Sequence, residues 1–573
     1  MWLPRLLALA LLVGLTASAC TPQRVAEPLP VTSPDPSPSA TSGPARDTFR
    51  YAIQEPASIL PGDVADDGGL AVVDAVFDSL TTWDPEGTLI PAAAARWESN
   101  DEATVWTFNL RPGATWHGPE RDPVTAADFV YAWNRAVADG VAGYHLEDVA
   151  GYGEVRDGSA SSLSGVRALD ERTLEVRLSG PFADFPAVVA HAALGPLPRE
   201  RLEADPEGFA LAPIGNGPFA LAEPWAKEQF IRVSRYERWR NGERAALAEV
   251  LFQIRDPETA YVAFQQGRMD FTTLPPAVLD QARERYAASE AGRDSPDAPT
   301  VLDDRSAELY FLGMDLETPP FDRVEVRRAL SLAIDREAIA RAVRSGNADP
   351  ARAAAPAAVP DARLRTCNAC RYDPDIARQM LAEADVTELE LWFNPGGGHE
   401  QVAELLTEQL ADVGVTLTAR KTEDGGDGAF AAYLQRLRER GAGLFRFGWI
   451  LDYPILDDAL RPLLSGSLAG ADGAANYGRY RQEDVDELLD RARAELDVEE
   501  RHRLYLEAES LALNRDQALI PVVTFRHSAV VSERFEGFEL SPVGLADLSR
   551  VRPPPKRRSG APRRRGRRWG ARD

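Results

Sequence analysis

The chain is short of the residues that most catalytic sites are built from. Its 573 residues include six histidines and three cysteines. None of His117, His145, His191, His399, His502 and His527 falls in an H-E-x-x-H or H-x-H arrangement, which excludes the usual helix-borne zinc site. No G-x-S-x-G elbow is present, so a nucleophilic serine has no strand-to-helix turn to sit on. No G-x-x-x-x-G-K-[ST] loop is present either, so the chain is not expected to hydrolyse ATP. Gly396-Gly397-Gly398-His399 has the composition of an oxyanion loop, but without a nucleophile it reads as a flexible turn. Basic charge is also scarce: 64 Lys and Arg face 89 Asp and Glu, a net charge of −25. Phosphate binding needs clustered cations, so nucleic acid is not an expected partner. No catalytic residue, metal or cofactor is expected.

What is present begins with a leader. Arg5 precedes an apolar run, Leu6 to Leu15, too short to span a bilayer comfortably. Small residues follow, Thr16-Ala17-Ser18-Ala19, and then Cys20, the layout of an exported precursor with a signal peptide at 1–19. The Ala-Ser-Ala-Cys ending resembles a bacterial lipobox, with Ala17 at the usual leucine position. That likeness implies a diacylglycerol on the Cys20 sulfur, against the alternative of ordinary cleavage beside an incidental cysteine. Residues 20–46 are dominated by Pro, Ser and Thr and should stay extended, which suits a tether between a lipid anchor and a folded body. At the other end, 552–573 carries ten basic residues and one acid. This tail reads either as an extension without function or as a patch for anionic lipid or wall polymer.

Cys367-Asn368-Ala369-Cys370 could be a redox pair, half of a metal site or a local disulfide. No second C-x-x-C or paired histidine completes a zinc site, and outside the cytoplasm a small disulfide is the expected reading.

Between the ends, strand-like and helix-like segments alternate. Trp106, Phe108 and Leu110 share one face of a strand, as do Leu174, Val176 and Leu178. Thr125 to Asp128 has a capping-box arrangement, followed by a stripe of Val130, Trp133 and Val137. Asp322 is placed to cap a helix carrying Val326, Leu330, Ala333 and Ile334. Val402, Leu405, Leu406, Leu410 and Val413 mark another helix, stopped by Gly414, with a strand starting at Val415 and Leu417. Val485, Leu488, Leu489, Ala492 and Leu496 mark a third. The fold class is α/β, without solenoid repeats.

Several runs, in order, resemble the bacterial extracellular solute-binding proteins of family 5. They are Leu89 to Trp97, Trp106 to Gly113, Trp116-His117-Gly118, Pro123 to Val130, Pro213 to Phe219, Gln266 to Asp270, Pro320 to Ser331, Tyr372-Asp373-Pro374 and Gly448 to Pro454. The likeness covers roughly residues 50 to 550. It implies a two-lobed, periplasmic-binding-protein-like fold of type II that closes on its ligand at a hinge. Lobe 1 would span 47–311, with an extra subdomain at about 81–180, and lobe 2 would span 312–519. The chain would return to lobe 1 over 520–551, so the crossings would lie near Leu309-Tyr310-Phe311 and Ile520-Pro521-Val522.

The resemblance also implies a site. Asp452 stands where peptide-binding members pair a carboxylate with the ligand's α-ammonium; the alternative is an aspartate capping the turn before Pro454. A buried ammonium needs such a partner, because unpaired buried charge is costly. Gly448 and Trp449 would offer backbone groups to an extended peptide by strand addition, with Tyr453 beside them. Trp449 could instead be a core aromatic. Arg446 matches an arginine that takes the ligand carboxylate in some oligopeptide binders, unless it is a solvated surface residue. Arg438 and Arg440 are weaker candidates, and Asn476 and Tyr477 are further candidates for lining the cleft. The implied function is capture of di- or oligopeptides by a monomer outside the bacterial membrane, on the periplasmic side where an outer membrane exists. The partners would be a permease and ATPase subunits of an ABC importer. Alternatives are a nickel chelate, haem or oligosaccharide as ligand, a sensor without transport, and an extracellular hydrolase.

Overall fold

Two long strands organise the molecule, Thr300–Met314 and Leu519–Val531. At about 3.3 Å per residue each runs for roughly 45 Å, longer than one lobe needs. They pair with each other antiparallel along most of their length. At one end Leu519–Val531 pairs with Phe271–Thr273, which leads on to Thr48–Ile53, Glu249–Ile254, Phe230–Arg235 and Phe219–Leu221. At the other end Thr300–Met314 pairs with Leu444–Ile450, followed by Glu388–Phe393 and Thr416–Lys421. The computed structural model describes residues 47–554 apart from 85–86, 243, 290–298, 423–428 and 472, and among these the sheet has twelve strands. Cys20, its leader and spacer, and the tail from 555 onward lie outside the described residues.

The long pair changes partners part-way. Arg305 faces Arg526 and Leu309 faces Thr524, so Ser306 to Glu308 oppose a single residue. There Ala307 donates to Pro542 O at 2.9 Å and accepts from Leu451 N at 3.0 Å. A second irregularity follows, where Tyr310 faces Val523 but Phe311 faces Pro521. Proline has no N–H for the ladder, and such bulges bend a strand pair. The two expected crossings fall inside these strands.

Three cores result. The first packs Phe49, Val72, Phe108, Trp133, Phe185, Phe252 and Val531. The other two cover the two faces of the second lobe's sheet. One holds Phe311, Phe445, Phe447, Leu460, Leu489 and Tyr505, and the other Tyr310, Leu312, Leu330, Leu406, Ile520 and Phe525. Period-two alternation along Leu444–Ile450 sends Phe445 and Phe447 to one face and Arg446 to the other.

Within 81–180 a separate antiparallel sheet forms from Ala94–Ser99, Val105–Leu110, Thr173–Arg177 and Val166–Asp170. Trp106, Phe108 and Leu110 are buried on its inner face. The helix Ala126–Ala138 covers it, started by Asp128, whose carboxylate accepts from the Thr125 N–H at 2.7 Å and hydroxyl at 2.9 Å. Its buried stripe is Phe129, Ala132, Trp133, Ala136 and Val137; Val130 is only half-buried.

Aspartate followed by proline starts three helices, at Asp205-Pro206, Asp256-Pro257 and Asp373-Pro374. The carboxylate takes a free N–H of the first turn, and proline presets φ where no donor is needed. Asp322 does not play that part. Arg323 N closes a turn onto Pro320 O at 3.3 Å, leaving Asp322 inside the turn, and the helix runs Val324–Ala333 with Arg323 at its cap. Leu496 is likewise outside its expected helix, which ends at Ala494.

Candidate functional site

The strand Leu444–Ile450 brings the expected residues to the place where the lobes meet. One edge pairs with the first long strand, Tyr310 opposite Gly448 and Glu308 opposite Ile450. The other edge meets Glu388–Phe393 only at Leu444 and Phe445. From Phe447 to Ile450 this second edge has no strand partner among the described residues. Its N–H and C=O groups are therefore a template for one more strand. Gly448 leaves room there: a Cβ would meet only Leu309 O at 3.5 Å and Arg446 Nη1 at 3.7 Å, ordinary contacts. Ile450 is 69% exposed.

Asp452 stands just beyond the open edge. Its Oδ1 accepts from the Tyr144 hydroxyl at 3.1 Å, and its Oδ2 lies 4.0 Å from His145 Nδ1. Both partners come from the first lobe. His145 also bonds the Tyr453 hydroxyl, and its ring lies against those of Tyr144 and His191, each centroid 4.1 Å away and tilted. Burial, then His191, hold His145 well below its ordinary pKa, so it supplies no charge to Asp452 at neutral pH. No Lys or Arg pairs with Asp452 among the described residues. Burial pushes its carboxyl up to about 6, opposed by the Tyr144 bond. The side chain still keeps 36% of its surface exposed, open to a ligand.

Trp449 lies on the core face, its Nε1 donating to Asp458 O at 2.7 Å. Tyr453 N donates to the Asp458 carboxylate at 3.0 Å, which ties the Asp452-Tyr453 turn to the helix Leu456–Leu464. Arg446 is no surface arginine. It is buried beside Tyr310 and Tyr433, bonds Asn394 Oδ1, and leaves its Nε without a partner among the described residues. Arg440 turns away to Asp315 and Glu317. Asn476 and Tyr477 are turned inward. Asn476 spends its amide on Ser465 O, Tyr480 O and Tyr480 N, all within 2.9 Å, and the buried Tyr477 packs edge-on to Phe447. Cys367 and Cys370 form a buried disulfide.

Residue chemistry alone overlooked His399. Gly396, Gly397 and Gly398 all have left-handed φ, +83°, +61° and +81°, a run that favours glycine. They deliver His399 to the start of the helix His399–Asp412, with its ring 5.6 Å from Tyr310. Its Nδ1 is buried without a partner among the described residues, like Arg446 Nε. Burial, then the nearby Arg446 and Arg344, push its pKa down to about 3. The available signal was three glycines ending at a histidine, read above as a slack turn. Tyr144 and His145 were missed because they lie 308 residues before their partners.

The model of the bacterial extracellular solute-binding proteins, family 5 (middle region), matches residues 88–470. The chain belongs to this family. Among its family 5 relatives, the "Probable deoxycholate-binding periplasmic protein YgiS" of Escherichia coli is 29% identical over 85% of this chain and 89% of its own. The dipeptide-binding protein DppE of Bacillus subtilis is 27% identical, covering 82% and 86%. The periplasmic oligopeptide-binding protein OppA of Escherichia coli is 26% identical, covering 81% and 84%. The fold matches the unliganded open form of the murein tripeptide-binding protein MppA, with a TM-score of 0.77 at 22% identity over 90% of this chain and 99% of that one. HbpA2 from Haemophilus parasuis matches with a TM-score of 0.76 at 24% identity over 88% and 99%. The architecture is the two-lobed one, and family membership makes the chain a solute-binding protein of the ABC-importer type.

Proposed function

We propose that the solute is a peptide with a free amino terminus, captured between the lobes and passed to a permease driven by separate ATPase subunits. The observation that carries this is the carboxylate of Asp452, without a Lys or Arg partner among the described residues, at the end of an open strand edge. An extended peptide adds to the edge from Phe447 to Ile450, and its ammonium supplies the charge that Asp452 lacks. Arg446 Nε and His399 Nδ1, both without a partner among the described residues, suit an acceptor at another part of the ligand, such as a carboxylate. The Cys20 lipid holds the protein at the outer face of the membrane, with the proline-rich spacer as its tether.

A second reading has a specific basis, since YgiS is named for deoxycholate. An amphipathic carboxylate would use Arg446 and leave Asp452 idle. Native mass spectrometry of co-purified ligand, then calorimetry with trialanine, N-acetyl-trialanine and deoxycholate, separates the two. Trialanine should bind, and both acetylation and Asp452→Asn should weaken it roughly 30-fold, the loss of about 2 kcal/mol expected when one partner of a buried pair is removed. Equal binding by the variant, or preference for deoxycholate, would overturn the peptide reading.

A further inference from the structure

Among the described residues one side chain is placed to act as a counter-ion to Asp452, and its hydrogen bonds keep it uncharged. His145 lies on the short turn Gly143–Leu146 of the first lobe, with its Nδ1 4.0 Å from Asp452 Oδ2. The side chain is 1% exposed, so its partners are protein groups. That same Nδ1 bonds the Tyr453 hydroxyl, for which the described residues offer no other acceptor. Burial, then Asp452, keeps the hydroxyl protonated. The hydroxyl therefore donates, and the lone pair of His145 Nδ1 accepts. This pattern assigns His145 as the neutral Nε2–H tautomer, with Nδ1 closed to a second proton. Tyr453 is fixed in its part, since its ring packs against the first lobe's core and its N–H is tied to Asp458.

His191 closes another side of the ring. Its own Nδ1 accepts from Ala193 N at 3.3 Å, so protonating that nitrogen would set one N–H against another. His191 is therefore neutral too, and it offers nothing to offset a charge on His145. The remaining titratable groups against His145 are Tyr144 on its own turn and, from the second lobe, Tyr453 and Asp452.

We propose that His145 is a specificity-determining residue of the amino-terminal subsite: it occupies the place of a counter-ion without supplying the charge, which leaves Asp452 to a cationic group of the ligand. This rests on the reading of Asp452 as the partner of the peptide ammonium. A lysine at 145 would satisfy the carboxylate from within and close the subsite to amines. Histidine, with its proton on the far nitrogen, covers the inner side of the carboxylate and keeps the subsite selective.

Two measurements test this. The first uses no ligand. In protein carrying isotope-labelled histidine, the ring nitrogen shifts should show His145 as the Nε2–H tautomer, without titration between about pH 5 and 8. A proton on Nδ1, or a titration in that range, would overturn the proposal. The second is calorimetry with trialanine at neutral pH. His145→Lys should weaken binding roughly 30-fold, as Asp452→Asn does, while the neutral His145→Gln should stay within about threefold of the wild type. Equal losses in the two variants would make residue 145 a packing residue and overturn the assignment, as would wild-type affinity in His145→Lys. Circular dichroism checks folding. Should His145→Lys not fold, Tyr453→Phe takes its place: without the hydroxyl, His145 Nδ1 is free to take a proton facing Asp452, and its nitrogen shifts should begin to titrate. An unchanged tautomer in that variant would overturn the proposal. Equal binding of trialanine by the wild type and Asp452→Asn would remove the peptide reading and this inference together, whereas a titrating His145 beside an Asp452 on which binding depends removes the inference alone.

Discussion

Asp452 and Asp457 lie five residues apart in opposite circumstances. Asp457 is buried and fully engaged, with Arg493 at one oxygen and Tyr505 at the other. Asp452 has a tyrosine hydroxyl and a neutral histidine, and burial raises its carboxyl to about 6. A bound ammonium favours the charged form and so lowers that pKa in the complex. The sign of the pH effect follows: binding is at full strength above about pH 6 and weakens as pH falls below it, approaching tenfold per unit until the bound carboxyl itself protonates. Calorimetry with trialanine across this range should show that decline, and Asp452→Asn should abolish the pH dependence along with most of the affinity. A flat profile for the wild type would remove Asp452 from the site. The aspartate was legible in the sequence because it sits in a run of matching residues, Gly448 to Pro454. The position of His399 was not, because it depends on three left-handed residues placing it beside Tyr310, and glycine composition alone looks the same in a slack loop.

At the scale of elements, alternation and stripes were readable wherever one face of a strand or helix is buried. Val105–Leu110 and His399–Asp412 are examples, each repeating at the period of its own geometry. Ends were harder. Arg323 rather than Asp322 caps its helix, since a turn closed by backbone atoms fixed the start. The bulges of the long strands carry no local signature, because they arise from pairing between residues about 200 apart. What holds the second bulge is a buried arginine. Arg336 Nε donates to Pro521 O at 2.7 Å, while its other nitrogens bond Ser331 O at 3.0 Å, Ile334 O at 3.3 Å and Ser331 Oγ at 2.9 Å. On the same side Ala351 N donates to Val522 O at 3.0 Å, and Ala348–Pro350 pairs with Val523–Phe525. Arg336→Met would keep much of the volume and leave these acceptors buried and unpaired. A loss of about 3 kcal/mol is expected, read as a lower denaturant midpoint with an unchanged slope. Unchanged stability would mean that the bulge is held by the ladder alone.

For the whole molecule, the proposed function divides anchoring and capture between separate stretches of chain. On that proposal the first would rest on Cys20 and the Pro-, Ser- and Thr-rich segment after it. The second rests on two lobes whose facing groups, Tyr144 to Asp452, Arg493 to Asp148 and Arg501 to Asp184, all lie between 144 and 501. That separation makes a clean prediction. Cys20→Ser removes the sulfur that would carry the lipid and changes nothing within the folded body. Fractionation of cells producing the variant should move the protein from the membrane to the soluble phase, medium or periplasm according to the envelope. The released protein should bind trialanine with wild-type affinity and melt at the wild-type temperature. Two acyl chains give stable membrane attachment where one gives only marginal binding, so a partial shift is not expected from loss of the anchor. If the variant stays with the membrane, attachment must come from elsewhere. The +9 stretch at 552–573 then becomes the segment to delete, since clustered arginines near a membrane contribute about 1 kcal/mol each against anionic lipid. Salt would release a protein held that way and would not release one held by acyl chains, so a high-salt wash of the wild-type membrane distinguishes the two anchors before any residue is changed.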